Sequence, residues 1–403
     1  MRTRRNGPSV TAANVLGVLS PLPEKFPLAG RIPSQREQID GDSQTDHRRG
    51  HLHTLHIVSH RDERATVVGE SMANVPRSLR LLQIGNAPRL VGGTAACAWT
   101  VTRALPQLDH VVLFLAQETA GVAEKFRVPV QYSVRPIQSE IRDWQPDLVL
   151  LHNIAPGRVD WPREIPSVQY VHSLGTRAVA DRTVYCSRWL RDRAMDPLTD
   201  VLYQAVPKPP RPATLARDHR ETLVIGRICT PDQRKWPTQI SGFYRRLARQ
   251  FPTVDWEFVG CPRPLQAALQ DACHGRSRFF PAAWEARQRL WNWDALLYSQ
   301  PDLPESFGRT VAESLRAGCI PIVDHQGGFL EQLAEGGGFT CRHFDDFAAA
   351  VDHLHHPNTR RQLAHTAETT GDARFSLAVF QQALLTVFAA ILRNPSGNID
   401  LVK

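Results

Sequence analysis

A chain of 403 residues with 42% hydrophobic and 22% charged side chains has the composition of a globular protein with room for two domains, each with its own core. The net charge of +8, carried mostly by arginine, would suit nucleic acid, acidic lipid or phosphorylated ligands and selects none of them. Seven cysteines without C-x-x-C spacing exclude a full disulfide framework and read as reduced core thiols in a cytosolic protein.

Residues 1 to 78 are polar and proline-dotted without sustained periodicity, which predicts a largely disordered extension. Its opening is basic, but the apolar part is short, is broken by Asn14 and lacks a clean cleavage site, which argues against a signal peptide. His47, His51, His53, His56 and His60 cluster within it, yet no second ordered element is at hand to complete a metal shell. The functional chain is expected to start near Met72.

From residue 79 short apolar runs alternate with helical patterns: LRLLQIG, a helix opening at GGTAACAWTVTRAL, HVVLFLA, VPVQYSV, IQSEIRDW, DLVLLHN, SVQYVHS and RTVYCS. Buried strands alternating with helices imply a parallel sheet covered on both faces. A proline-rich passage, residues 205 to 218, reads as an exposed linker. A second alternating series follows: ETLVIGRIC, a helix over 238 to 250, TVDWEFVG, SRFFPAA, DALLYSQ, a helix over 308 to 317, IPIVD and GGFTC. Two doubly wound halves imply a cleft between them. The expected domains are 79 to 205 and 206 to 374, with a C-terminal helix, 375 to 394, packing back on the first. No apolar run approaches the roughly 18 residues of a membrane helix; the tail is interrupted by Arg374, Gln381 and Gln382.

Residues 304 to 333 carry the most chemistry. Glu305 and Glu313 bracket the start of the helix, with Val311 and Leu315 on its inward stripe. If residues 306 to 317 are helical, the two carboxylates lie about 12 Å apart along the axis, within reach of one ligand of nucleotide-sugar length. The N–H groups of Ser306, Phe307 and Gly308 would then point from the helix N-terminus toward a phosphate or a sugar hydroxyl. The competing reading pairs Glu313 with Arg309 and Arg316 in surface ion pairs.

ESFGRTVAE resembles the E-x7-E motif of the retaining GT-B enzymes of glycosyltransferase family 4, and HQGGFLE resembles the Gly-Gly-x-x-Glu that follows it. GRICTPDQRKWP is similar to the family's Gly-Arg loop and RLVGGTAA to its first glycine-rich loop. The similarity runs over roughly 79 to 394 and is strongest from 222 to 340; the ordered series is more specific than any one motif. It implies a GT-B fold, two Rossmann-like domains facing across a cleft, and transfer of a sugar from a nucleotide-sugar to an acceptor hydroxyl with retained configuration.

By the same resemblance Arg227 and Lys235 would neutralise the departing diphosphate, with Arg234 able to stand in for Lys235. Glu313 would hold the ribose and Glu305 would sit beside the transferred sugar. Gly327 and Gly328 would let backbone approach the ligand. Gly92 and Gly93 would aim helix N–H groups at the phosphate, and His172, a strand-end histidine, would lie near the donor sugar. No cofactor or metal is expected, since the one D-x-D pair, Asp40 and Asp42, falls in the extension.

The expected partner is the nucleotide-sugar. The acceptor, whether glycan, lipid-linked or small, is unreadable, as is the oligomeric state. Nucleic acid is not expected, for no aromatic-basic motif accompanies the charge. The expected location is cytoplasmic, with peripheral contact at the inner membrane face left open. An epimerase of the same fold and a non-catalytic nucleotide-sugar or polyanion binder are the alternatives.

Overall fold

Strand β1 (Arg80–Gly85) is followed by β2 (Asp109–Phe114), β3 (Val130–Tyr132), β4 (Leu148–His152), β5 (Ser167–Val171), β6 (Arg182–Tyr185) and β7 (Asp200–Val201). They form one parallel sheet in the order β3-β2-β1-β4-β5-β6-β7. A second parallel sheet, ordered β10-β9-β8-β11-β12-β13, comprises β8 (Val224–Ile228), β9 (Asp255–Val259), β10 (Ser277–Phe280), β11 (Ala295–Tyr298), β12 (Ile320–Asp324) and β13 (Phe339–Cys341). The computed structural model describes residues 79–86, 93–119, 121–135, 138–213, 215 and 220–393. The expectations for residues 1 to 78, including the histidine cluster, Asp40, Asp42 and Met72, lie outside them.

The apolar runs are continuous because the strands are covered on both faces: β4, β5, β11 and β12 are buried at every position. In each sheet the strand order reverses once, between β1 and β4 and between β8 and β11. Crossovers diverge at such a point and leave a crevice beyond the strands' carboxyl ends, where open α/β sheets bind ligands.

Three expectations need correction. The passage from 205 is not an exposed tether at its start. Ala205 and Val206 have no exposed surface, Arg316 donates to the Val206 carbonyl, and Lys208 pairs with Glu368 and Asp372. A proline-rich composition forbids ladder hydrogen bonds but not packing. Second, the helix expected over 308 to 317 spans Arg309–Arg316 and is entered through Gly308, whose φ of 87° is left-handed. Third, the helical stretch Pro357–Arg393 holds an 18-residue window of mean hydropathy 2.0, enough by length and composition to cross a membrane. Here Phe380, Leu384, Phe388 and Ile391 are buried instead, and helix Leu377–Arg393 packs on helix Gly93–Ala104 of the first half.

The halves share one apolar core, in which Cys97, Val101 and Tyr170 of the first belong with Phe307, Val311 and Phe375 of the second. Polar ties reinforce it. Glu331 accepts from Arg188 N (3.0 Å), Trp189 N (3.1 Å) and Tyr203 OH (2.7 Å), meeting the unpaired donors at the start of helix Arg188–Arg193. Arg309 reaches across to the Ala205 carbonyl at 3.1 Å and Thr100 Oγ1 at 3.3 Å.

Candidate active site

At the carboxyl ends of β5, β8, β9 and β11 a cavity of about 590 Å³ opens between the halves, lined by Gly93, Thr94 and His172 on one side and by Lys235, Glu305 and Glu313 on the other. That volume is typical of small-ligand sites.

Lys235 closes a short 3-10 turn, Gln233–Lys235, which Asp232 caps by accepting from Arg234 N at 3.1 Å. The Lys235 ammonium donates to Glu305 Oε1, and Tyr298 OH donates to the same oxygen at 2.7 Å. Burial first, and then the Glu305 charge, push the Tyr298 phenol above its usual range, so it stays a donor. Arg234 also borders the cavity, but its guanidinium is tied to Asp232 at 2.7 Å and is largely exposed. Lys235 is thus the cation beside Glu305.

Arg227 does not line the cavity. It has no exposed surface: its guanidinium lies against the rings of Trp236 (4.9 Å) and Tyr298 (4.5 Å) and donates to the carbonyls of Ser299 (3.2 Å) and Lys235 (2.7 Å). The expected diphosphate contact is replaced by a supporting one, in which Arg227 grips the backbone that carries Lys235.

The helix start differs as well. Glu305 lies four residues ahead of helix Arg309–Arg316, not on it, and the unpaired first-turn donors pass to Arg309 and Thr310, which also line the cavity. Ser306 offers its carbonyl to Ser187 Oγ. Phe307 is buried against Phe375, and Ser306 and Phe307 still border the cavity. Gly308 is required on two counts: its φ is left-handed, and a Cβ there would come within 2.3 Å of the Phe329 ring.

Glu313 faces the cavity. It pairs with Arg309 at 3.9 Å, the two side chains being only 13% and 10% exposed, so this is not a surface pair. Arg316 turns away to Asp372 at 3.0 Å. Gly327 and Gly328 are absent from the cavity lining. A Cβ on Gly327 would lie 2.5 Å from the Glu305 carbonyl oxygen, and one on Gly328 2.6 Å from that of Ser306. The pair makes room for the loop that carries Glu305, not for a ligand. Gly93 begins helix Gly93–Ala104 at the cavity edge; Gly92 lies outside the described residues.

His172 borders the cavity, but both ring nitrogens are engaged: Nε2 with His152 Nδ1 at 3.2 Å and Nδ1 with Gln204 Nε2 at 2.9 Å. It has no free nitrogen for substrate. Burial pushes the His152 pKa down to about 3. Burial, and then the neighbouring His152, Arg309 and Arg177, hold His172 well below its usual range.

A histidine with a depressed folded pKa stabilises fully above its unfolded value, near 6.5, and that stability is lost as pH falls toward the folded value. Lowering pH from about 6.5 to about 5.5 should therefore cost about 1 kcal/mol of folding free energy per such ring. Denaturant unfolding at the two pH values measures this, and His152→Gln should flatten the dependence. An unchanged slope would mean that the ring is protonated in the fold.

Sequence reasoning missed a cluster on the same wall. Trp99 and Trp284 meet edge to face at 4.8 Å across the cleft. Arg287 lies over Trp284 at 3.8 Å with its Nη1 unpartnered among the described residues, and Arg287 and Trp284 both line the cavity. No local pattern marks them, because Trp99 and Trp284 come from opposite halves.

No protein-family profile matches the chain, and no curated protein is similar to it in sequence. Solved structures do match. HepE of Anabaena, in complex with UDP and glucose, aligns with 77% of this chain and 100% of its own at a TM-score of 0.62 and 14% identity. Sucrose-phosphate synthase of Thermosynechococcus elongatus aligns over 78% and 99% (TM-score 0.59, 13% identity). WaaG, a glycosyltransferase involved in lipopolysaccharide biosynthesis, aligns over 76% and 99% (TM-score 0.57, 11% identity). With its two parallel doubly wound sheets and the cavity between them, the chain has the α/β, two-domain Rossmann-like fold of the GT-B glycosyltransferases.

Proposed function

We propose that the cavity binds a nucleotide-sugar and that the protein transfers the sugar to an acceptor hydroxyl with retained anomeric configuration, as a cytoplasmic family 4 hexosyltransferase. The observation that carries this reading is the convergence of Lys235, Glu305 and Glu313 on one cavity between the halves, at the point where the second sheet reverses. The similarity to HepE solved with UDP and glucose supports it.

In such a reaction negative charge grows on the diphosphate as the glycosidic bond breaks. Lys235 and the first-turn N–H groups of helix Arg309–Arg316 supply fixed positive charge toward it. The acceptor hydroxyl attacks from the face that the diphosphate leaves, and the leaving oxygen helps to take the proton. Glu313 accepts from the ribose hydroxyls, and Glu305, held by Lys235 and Tyr298, lies at the sugar. An epimerase would need a free acid or base at the sugar; His172, with both nitrogens bonded, offers none.

The test is slow donor hydrolysis over a panel of UDP-, GDP- and ADP-sugars. Turnover and saturable binding of one donor are expected, and neither with any donor overturns the proposal. Glu313→Ala should weaken that donor by about 1.5 to 3 kcal/mol in calorimetry, the range for hydrogen bonds to a charged group. Unchanged affinity would leave Glu313 as Arg309's partner alone. Metal-independence is part of the reading: activity should survive EDTA, and loss that magnesium or manganese restores would contradict it.

A further inference from the structure

We infer that Gln204 sets the direction of a hydrogen-bonded chain that runs from the cavity wall into the first domain's core and fixes His172 in its neutral Nε2–H form. A guanidinium only donates. Arg309 Nη1 lies 3.1 Å from Gln204 Oε1, so the amide oxygen faces Arg309 and the amide nitrogen faces His172 Nδ1 at 2.9 Å. His172 Nδ1 must then accept, and its proton sits on Nε2, directed at His152 Nδ1 at 3.2 Å. His152 in turn carries its proton on Nε2 and donates to Gln83 Oε1 at 3.0 Å. That orientation points Gln83 Nε2 at His110 Nδ1, 3.5 Å away, and His110 Nε2 donates to the Leu105 carbonyl at 2.7 Å.

The far end gives the same answer independently. A backbone carbonyl only accepts, so His110 Nε2 bears a proton, and a neutral ring leaves Nδ1 to accept from Gln83. A group that only donates and one that only accepts therefore impose a single direction on the rings between them. Gln83, His110, His152 and Gln204 are all buried, where protonating any ring would set two donors face to face.

The same slot has the makings of a metal site, since Cys97 Sγ and ring nitrogens of His152 and His172 lie within 4.8 Å of one another. A metal held through the His172 nitrogen that faces His152, Nε2, would need a lone pair there. The Gln204 amide denies it, and the Arg309 charge acts on both Cys97 and His172. The slot holds a proton.

Gln204 is thus a positioning residue. It joins Arg309 of the second half to His172 of the first and keeps that ring from competing for the proton of the acceptor hydroxyl. The kinetic consequence rests on the proposed function; the tautomer does not.

Nitrogen-15 NMR of the histidine rings in the full chain tests it without substrate. His172, His152 and His110 should all show neutral Nε2–H rings at pH 7. Gln204→Glu keeps an acceptor for Arg309 but turns the donor toward His172 into an acceptor. His172 Nδ1 should then take up a proton as pH is lowered through the folded range, because the facing carboxylate raises the ring's pKa from its depressed wild-type level, and donor turnover should gain a new dependence on pH where that proton binds. An Nδ1–H ring at His172 in the wild type, or an unchanged neutral ring in a folded Gln204→Glu, overturns the inference. So does stoichiometric binding of Co²⁺ to the wild type with a thiolate absorption band lost in Cys97→Ala. If Gln204→Glu does not fold, the wild-type spectrum and the Co²⁺ titration still decide. The expected rings in a protein that turns over no donor would uphold the chain of hydrogen bonds and sink the proposed function.

Discussion

Lys235→Ala is expected to lower donor turnover by about 10²- to 10³-fold, the loss typical when one fixed group that stabilises transition-state charge is removed, while the fold stays intact. Lys235 lies on a 3-10 turn at the cavity wall and packs in no core cluster. Its ammonium is paired with Glu305, at 17% and 23% side-chain exposure. The pair is mostly buried, so leaving Glu305 without its cation has a cost to folding, which Tyr298 OH limits by still donating to the carboxylate. The melting temperature should fall modestly, far less in proportion than turnover. Turnover near wild type would exclude Lys235 from diphosphate stabilisation, and wholesale unfolding would make it a structural residue. Arg227→Ala should do the reverse, because it removes a buried side chain and strands the carbonyls of Ser299 and Lys235: stability falls first, and activity follows.

Gly328→Ala is expected to destabilise the protein by about 1 to 3 kcal/mol, the usual cost of overpacking a filled site, and to impair donor binding as well. The added Cβ would meet the Ser306 carbonyl oxygen at 2.6 Å and Phe307 Cα at 2.9 Å, both backbone atoms that no rotamer change can move aside. Gly328 N also donates to the Glu305 carbonyl at 2.8 Å, so relief must come from shifting the segment that places Glu305. Thermal melting and calorimetry with the donor found by the hydrolysis panel check both parts. A variant that melts normally but binds poorly would return Gly328 to the ligand-contact role its motif suggests. One normal in both would remove it from the site altogether.

The sheets were legible because wholly buried strands must be apolar runs, and every run read as a strand lies in one of the two sheets. Strand β7, Asp200–Val201, is two residues long and leaves no pattern. The helix start was misplaced because the apolar stripe of Val311 and Leu315 continues smoothly back to Phe307, and nothing in Glu-Ser-Phe-Gly-Arg announces a left-handed Gly308. The burial of Arg227 is hidden in the sequence for a related reason. At the end of a strand buried on both sides, alternation does not tell a core-facing side chain from one facing the cleft. The role of the Gly-Gly pair was hidden because its neighbours, Glu305 and Ser306, come from another loop. The histidine rings draw their partners from β1, β2 and the segment after β7, and no local spacing encodes pairings between residues 83, 110, 152 and 204.

Helix Leu377–Arg393 covers helix Gly93–Ala104, which the ribosome delivers about 290 residues earlier. At the usual ~5 to 20 residues per second, the first half waits roughly 15 to 60 s for the element that shields it. During that interval its apolar surface is open to chaperones and to other chains. The first half therefore completes its packing only when helix Leu377–Arg393 has been made, and a fault late in synthesis leaves the part made first uncovered.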